Sequence, residues 1–399
     1  MRVFGIICEY NPFHCGHKWQ LDELRRRNGT EECGIVCAMS GEFVQRGDFA
    51  IERAHARAEA AVRGGADLVL ELPLPWSIAL AEGFARGGVG VLNATGIVDT
   101  LVFGSECGET EKLRRAAEAL LREDFSERLR DELSKGLSFA AARESAARAL
   151  IGEDAGVLAE PNDILGVEYC KALLQSDSTI TPLAMERRAV GHNEGAAEGF
   201  ASASYIRALL AGGEDASAFL TAESAAIYAS ECAAGRAPVT MKGAERAMLS
   251  RLRMLEEADF ARYDSGGEGL YRRFYAAVRT AASVDELLGT VKTKRYAYAR
   301  LRRMLLAAYL DIAAAELPQE IPYLRVLACN ERGRMLLRAI KNEGSAPVLT
   351  KSADVRSLSE EAQRLFALSA RACDQYVLAY PELRAAKGGG AWTQGPVIV

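Results

Sequence analysis

Apolar and polar positions follow two periods along the first two hundred residues. Short apolar, often β-branched runs occur at Val3–Cys8, Gly34–Met39, Asp67–Leu72, Thr100–Gly104 and Ile180–Glu186. Their length and turn-residue boundaries predict strands. Between them, stretches around His17–Arg27, Arg53–Gly64, Ser77–Asn93 and Thr110–Leu121 predict helices closed by Gly, Pro or Asn. Strands alternating with helices imply a parallel sheet with crossover helices, a three-layer α/β domain of Rossmann-like type. The insert from Asp124 to Gly156, rich in Ala, Arg and Glu, predicts helices packed on that domain. After Arg207 the texture changes. Ala211–Glu214 predicts a boundary, and helical spacing in Ala244–Leu255 and Val291–Leu310 predicts a mostly helical second domain. The expected division is residues 1–210 and 211–399, with a disordered tail around Gly388–Trp392.

A length of 399 residues fits two domains, and 49% hydrophobic with 26% charged residues excludes bulk disorder. No uncharged apolar run approaches the roughly 18 residues of a membrane span, and the apolar start is too short for a signal peptide. A cytoplasmic protein without membrane association is expected, and no protein partner is evident. The nine cysteines are scattered with no Cys-x-x-Cys pair, which predicts free thiols rather than a zinc ribbon or disulfide scaffold. A net charge of −5 excludes a generic polyanion binder, so any RNA site must be a local basic patch.

The sharpest chemical signal is Glu9-Tyr10-Asn11-Pro12-Phe13-His14-Cys15-Gly16-His17, between the first strand and the first helix. Two of the four histidines lie three apart at a helix N-terminus, whose dipole favours an anion, and at the strand end where open α/β sheets bind ligands. Gly16 leaves room for close backbone approach, and His14, His17 and Lys18 supply donors. Phosphate binding is the expected use; the alternatives are a zinc site completed by Cys8 or Cys15, and histidines without a role. The loop Ser40–Gly47 follows the second strand and so faces the same mouth, where Gly41, Gln45, Arg46 and Gly47 either close over an acyl group or an incoming base or form a mobile surface loop. Arg207, behind Ser202 and Ser204, is either a second clamp on a triphosphate or a solvated arginine on an ordinarily capped helix. Gly104 and Asn162 read equally as nucleotide contacts and as plain turn residues. Lys292–Arg303 holds six basic residues, two tyrosines and no acid in twelve positions, a composition suited to phosphates and unstacked bases or to a solvated helix face.

His14-Cys15-Gly16-His17 resembles the His-x-Gly-His motif of the adenylyl-transferring superfamily, which includes class I aminoacyl-tRNA synthetases and cofactor adenylyltransferases. A longer set of strings is more specific: Cys8–His17, Met39–Gly47, Gly65–Pro73, Phe103–Glu106, Pro161–Gly166, Ser202–Arg207, Lys292–Tyr296 and Pro322–Leu327. Nearly the whole chain, in order, is similar to the bacterial tRNA(Met) cytidine acetate ligase family. The resemblance implies a nucleotidyltransferase-like ATP-binding domain and a helical tRNA-binding domain. The implied reaction is a carbon–nitrogen ligation in which acetate is activated by ATP as acetyl-adenylate. The acetyl group then passes to N4 of the wobble cytidine of elongator tRNA(Met), giving N4-acetylcytidine without acetyl-CoA.

The implied catalytic residues are His14 and His17. The implied ATP-binding set is Ile7, Cys8, Glu9, Tyr10, Asn11, Pro12, Phe13, His14, Cys15, Gly16, His17, Lys18, Trp19 and Gln20, with Gly104, Asn162 and Arg187. Ser204 and Arg207 are the candidate triphosphate clamp, and Lys292, Lys294, Arg295 and Arg300 the candidate tRNA contacts. Mg²⁺ is expected to enter with ATP, no protein metal site being indicated. The family usually has Asn where this chain has Cys15, and Lys near the place of Arg53; the first predicts weaker phosphate contacts, the second a planar fork in place of a point charge. The alternative functions are a small-molecule cofactor adenylyltransferase and a non-catalytic RNA-binding protein.

Overall fold

In the computed structural model, the residues described are 1–28, 33–187, 196–197, 200–264, 266, 269–313 and 318–399. His192 lies outside them. The chain begins β1 (Arg2–Cys8), α1 (Cys15–Asn28), β2 (Cys33–Ser40), a hairpin of β3 (Phe43–Val44) and β4 (Asp48–Phe49), α2 (Ala54–Arg63), β5 (Leu68–Leu72), α3 (Ala81–Ala94) and β6 (Thr100–Ser105). It continues through α4 (Thr110–Leu120), α5 (Phe125–Ser134), α6 (Phe139–Ile151), α7 (Pro161–Gln175) and β7 (Thr181–Glu186). β8 (Ala196–Ala197) and β9 (Phe200–Ala201) pair with each other ahead of α8 (Ala203–Gly212). The sequence reading therefore found all five long N-terminal strands, because each carries the period of a buried parallel strand.

These strands pair in parallel in the order β5-β2-β1-β6-β7. From β1 the chain moves to one side through β2 and β5, then crosses back over β1 to add β6 and β7. This reversal opens a crevice beyond the carboxyl ends of β1 and β6, the place where doubly wound sheets bind ligands. All eight residues of β2 are buried, since helices cover both faces. One face packs on α3, α4 and α7 through Val3, Ile7, Phe84, Leu92, Leu113 and Val167, and the other on α1 and α2 through Phe4, Ile6, Leu21, Leu24 and Ala58.

A helical block follows: α9 (Ala222–Ala233), α10 (Glu245–Arg253), α11 (Glu257–Ala261), α12 (Leu270–Thr280), α13 (Val284–Val291) and α14 (Tyr298–Leu310). Its core, including Met248, Leu252, Phe274, Leu287 and Leu305, runs into Phe43 and Phe49 of the β3–β4 hairpin. The helix expected over Val291–Leu310 is interrupted, because Lys292 and Ala297 both take extended backbone angles.

The division at 210 and 211 fails beyond this block. β10 (Leu324–Cys329) pairs antiparallel with β5, so residues far apart in sequence, Val326 and Leu70, become neighbours in the main sheet. After α15 (Glu331–Glu343), β11 (Val348–Leu349) extends the same sheet, and α16 (Glu360–Tyr376) leads to α17 (Gly390–Thr393) and β12 (Val397–Ile398), which pairs with β10. The tail is thus folded, contrary to the expectation of disorder. Ala391 is buried, its carbonyl accepts from the buried Arg325 (3.2 Å) and from Ser352 (2.7 Å), and Trp392 packs edge-on to Phe366. Deleting residues 388–399 should lower the urea midpoint, because losing one acceptor of a buried guanidinium alone costs about 1.5–3 kcal/mol. An unchanged midpoint would show that the tail adds nothing to the sheet.

Candidate active site

The loop after β1 is held by a series of donors to its carbonyls. Arg57 donates to the Glu9 carbonyl, Arg207 Nη1 to Asn11 O (2.8 Å), and Ser224 Oγ to Phe13 O (2.7 Å). The Asn11 side chain is buried and accepts from Ile51 N (2.8 Å), while Glu9 Oε1 accepts from Gln45 N (2.8 Å). Tyr10 takes φ = 44°, a left-handed conformation costly for a bulky residue, and its ring is wedged against Phe13 (5.1 Å) and His17 (4.8 Å). Such fixation from four elements makes the loop a preorganised surface.

His14 and His17 stack with centroids 3.7 Å apart and planes 23° from parallel. His14 Nδ1 accepts from Gly16 N (3.1 Å), and His17 Nδ1 accepts from His14 N (3.3 Å). With both Nδ1 atoms acting as acceptors, each neutral imidazole carries its proton on Nε2. Burial, aided by the Arg187 and Arg207 guanidiniums, holds His14 down to about 3. Burial, His14 and Arg187 likewise hold His17 well below the ordinary value. Both rings are therefore neutral donors at physiological pH, at the positive end of α1, whose first turn has no acidic residue. A Cβ on Gly16 would lie 2.9 Å from His14 Cε1, so the stack requires glycine there.

These histidines give a pH signature. Between about pH 6.5 and 3 the unfolded chain binds protons that folded His14 does not, so their contribution to stability rises with pH across that window. Because they donate while neutral, kcat/KM for ATP should show no ionisation near pH 6.5. A break there that His14→Gln removes would contradict the assignment.

The opposite wall comes from β6, β7 and α7. Arg187 follows β7 and donates to Asn162 Oδ1 (3.2 Å); Asn162 Nδ2 in turn donates to Glu106 Oε1. Glu106 also accepts from the Asp163 N–H (2.9 Å), capping α7, which starts on Pro161 as its missing N–H allows. Asp163 is buried and accepts from Ser105 Oγ, Glu106 N (2.9 Å) and Cys107 N (3.2 Å). Asn162 thus fixes Arg187, and Gly104 lets the Arg187 chain pass: a Cβ there would stand 3.2 Å from Arg187 Cγ. Arg207 reaches in from α8 with Nη2 on Ser204 Oγ (3.1 Å), while Ser202 caps the helix at Tyr205 N; the expected helix cap is present, and the arginine is engaged with the loop after β1 rather than solvated.

The structure brings together His14, Gly16, His17, Gly104, Asn162, Arg187, Ser204 and Arg207. Other members of the expected set serve behind them. Ile7, Cys8, Tyr10, Asn11 and Phe13 are buried, and burial pushes the Cys8 thiol up beside Cys37. Pro12 is also buried, and Cys15, Trp19 and Gln20 are half-buried along α1. Lys18, expected as a phosphate donor, lies along α1 in an exposed pair with Asp22 (2.7 Å). Arg53 is engaged by Glu231 in a fork of 2.7 and 2.8 Å, which Glu231 shares with Arg236. The zinc alternative lacks a ligand set: among the described residues no group of three His, Cys, Asp or Glu side chains is placed to hold a metal. Sequence reasoning missed Arg57 as the organiser of the mouth. It is fully buried and gathers the carbonyls of Glu9, Ser40, Gly41 and Glu52; an arginine inside an alanine-rich helix was the available signal.

The basic stretch divides. Lys294, Arg295 and Tyr298 are exposed, with Lys292 Nζ 5.5 Å from the Tyr298 ring centroid; Tyr296 is buried beneath Arg295 and Arg300. Arg300 lies 3.7 Å from Asp264, and Arg302 and Arg303 turn to the β3–β4 hairpin.

The HIGH nucleotidyl transferase family model matches residues 1–389. A tRNA(Met) cytidine acetate ligase from Acetivibrio thermocellus is 36% identical over 100% of both chains. One from Fervidobacterium nodosum is 37% identical over 92% of this chain and 88% of its own. The crystal structure of Thermotoga maritima TmcAL bound with alpha-thio ATP superposes with a TM-score of 0.93 at 31% identity, covering 100% of this chain and 99% of that one. With matches that run through both the crevice and the helical block, the chain belongs to the tRNA(Met) cytidine acetate ligase family, within the HIGH nucleotidyl transferases.

Proposed function

We propose that the protein joins acetate to ATP and passes the acetyl group to N4 of the wobble cytidine of elongator tRNA(Met). An acetate oxygen attacks the α-phosphorus; the bond to the bridging oxygen breaks and pyrophosphate leaves. The cytidine amine then attacks the acetyl carbon, the carbon–nitrogen bond forms, AMP departs and the amine proton is lost. The observation that carries this reading is the pair of neutral imidazoles, His14 and His17, stacked at the end of β1 and close enough to Arg187 and Arg207 to feel their charge. Donors fixed before the reaction stabilise charge that develops on the leaving pyrophosphate without reorganising.

The ribose–adenine half of ATP fits the β6–β7 side, where Gly104, Asn162 and Arg187 lie. Magnesium would arrive as the ATP salt, held by phosphates rather than a carboxylate cage, which the described residues do not assemble. The helical block 222–310 takes the tRNA, with exposed Lys294, Arg295 and Tyr298 as contacts and Lys292 and Arg300 supporting them. No described helix is long and apolar enough to cross a membrane, and a cytoplasmic site of action fits the three substrates.

The test is ATP–pyrophosphate exchange with and without acetate, in the presence and absence of tRNA. Acetate-dependent exchange supports the reading. Exchange that needs a phosphorylated cofactor precursor instead would make this a small-molecule adenylyltransferase. No exchange under any of these conditions would favour the RNA-binding alternative.

A further inference from the structure

The β3–β4 hairpin is anchored on two sides while its tip stays open. On one side Gln45 N donates to Glu9 of the phosphate loop. On the other, Gln45 O accepts from Arg303 Nη1 (3.2 Å), and Asp48 pairs with Arg302 (3.0 Å). Gly47 has φ = 76°, and a Cβ there would come within 2.5 Å of Arg303 N, so the turn is seated directly against Arg302 and Arg303 of the basic helix α14. Between these anchors, Arg46 is exposed and makes no hydrogen bond or ion pair with the described residues. Its charge reaches the crevice: burial first, then Arg46 and Arg302, press the Arg207 guanidinium below its ordinary range against the opposing pull of Glu9 and Asp48. Arg46 thus stands on a hairpin tied on one side to the loop after β1 and on the other to the basic segment 292–303.

An exposed guanidinium with no partner among the described residues, next to two cationic sites, adds to a local positive field that draws in an anion. ATP already has Arg187, Arg207 and the two histidines, whereas an RNA strand running from the helical block into the crevice must cross this hairpin. We propose that Arg46 binds a backbone phosphate of the tRNA close to the nucleotide being acetylated, and so positions that nucleotide at the acetyl-adenylate. This rests on the tRNA-ligase reading above.

The test compares wild type, Arg46→Ala and Arg46→Lys in two assays: acetate-dependent ATP–pyrophosphate exchange without tRNA, and acetyl transfer to elongator tRNA(Met) transcript over a range of salt concentrations. The expected result for Arg46→Ala is exchange within about twofold of wild type, kcat/KM for tRNA down about tenfold, and a log–log salt slope shallower by about one. Arg46→Lys should restore part of the transfer. Exchange falling in step with transfer would place Arg46 on the acyl or nucleotide group and overturn the proposal; so would undiminished transfer, or lost transfer with an unchanged salt slope. A wild type that performs neither reaction would instead refute the ligase reading itself, and this proposal with it.

Discussion

Replacing His17 with alanine is expected to lower acetate-dependent ATP–pyrophosphate exchange by about 10²–10³-fold, the usual effect of removing one preorganised donor to developing charge. The loss should be large because His17 has two roles. Its neutral ring carries the Nε2–H donor beside His14, and its Nδ1 accepts the His14 N–H, which fixes the turn into α1 and the stacked partner ring. Removing it leaves His14 without its stacking face and frees the backbone that orients it. His17→Gln, which keeps an N–H donor at similar reach, should recover part of the rate, whereas His17→Phe should keep the ring packing against Tyr10, Phe13 and His14 but not the rate. Far-UV circular dichroism and tRNA affinity should stay close to wild type in all three. Exchange in His17→Ala within a few fold of wild type would remove this residue from the chemistry.

Arg57→Ala is expected to be the most destabilising single substitution at the mouth of the sheet, by about 3–5 kcal/mol, the cost of breaking a buried charged network. The guanidinium has no solvent exposure, and its donors close the carbonyls at the ends of β1 and β2 together with Glu52 O. The Ser40 and Glu52 carbonyls belong to fully buried residues and lose these donors. Glu52 is fully buried and, through burial first, pushed up to about 8 against the pull of Arg57, so near neutral pH its carboxyl is largely protonated and the Arg57 charge is held by the carbonyls rather than by an anionic partner. Arg57→Lys should recover little, since one ammonium cannot span four carbonyls in a plane. Urea denaturation followed by tryptophan fluorescence measures the loss. A midpoint shift worth under about 1 kcal/mol would mean that the carbonyls find other donors.

The parallel half of the fold was legible because its information is local. β1, β2, β5, β6 and β7 begin and end within one residue of the apolar runs that predicted them, and His14 and His17 sit where a strand meets a helix. β10 was not legible as part of that sheet. Its place depends on β5, more than 250 residues earlier, and Arg325 within it looks exposed until Glu71 is seen 3.1 Å away. The same distinction runs through the site. Lys18 could have been assigned from sequence, since Asp22 lies four residues on in the same helix, but Arg53 is engaged by Glu231, 178 residues away. No pattern of residue types reveals that both histidines are Nε2–H tautomers, because that follows from which backbone N–H each Nδ1 meets. Arg187 was named as a nucleotide contact, yet its aim through Asn162 and Glu106 appears only once β6, β7 and α7 are brought together.

The most direct test of the whole account is nucleoside mass spectrometry of elongator tRNA(Met) transcript after incubation with the purified protein, ATP and isotopically labelled acetate. The expected result is labelled N4-acetylcytidine at the wobble position only, dependent on ATP and undiminished when no acetyl-CoA is present. Unmodified cytidine with acetate and ATP, or acetylation that proceeds only with acetyl-CoA, would contradict the assignment of this crevice to acetyl-adenylate chemistry.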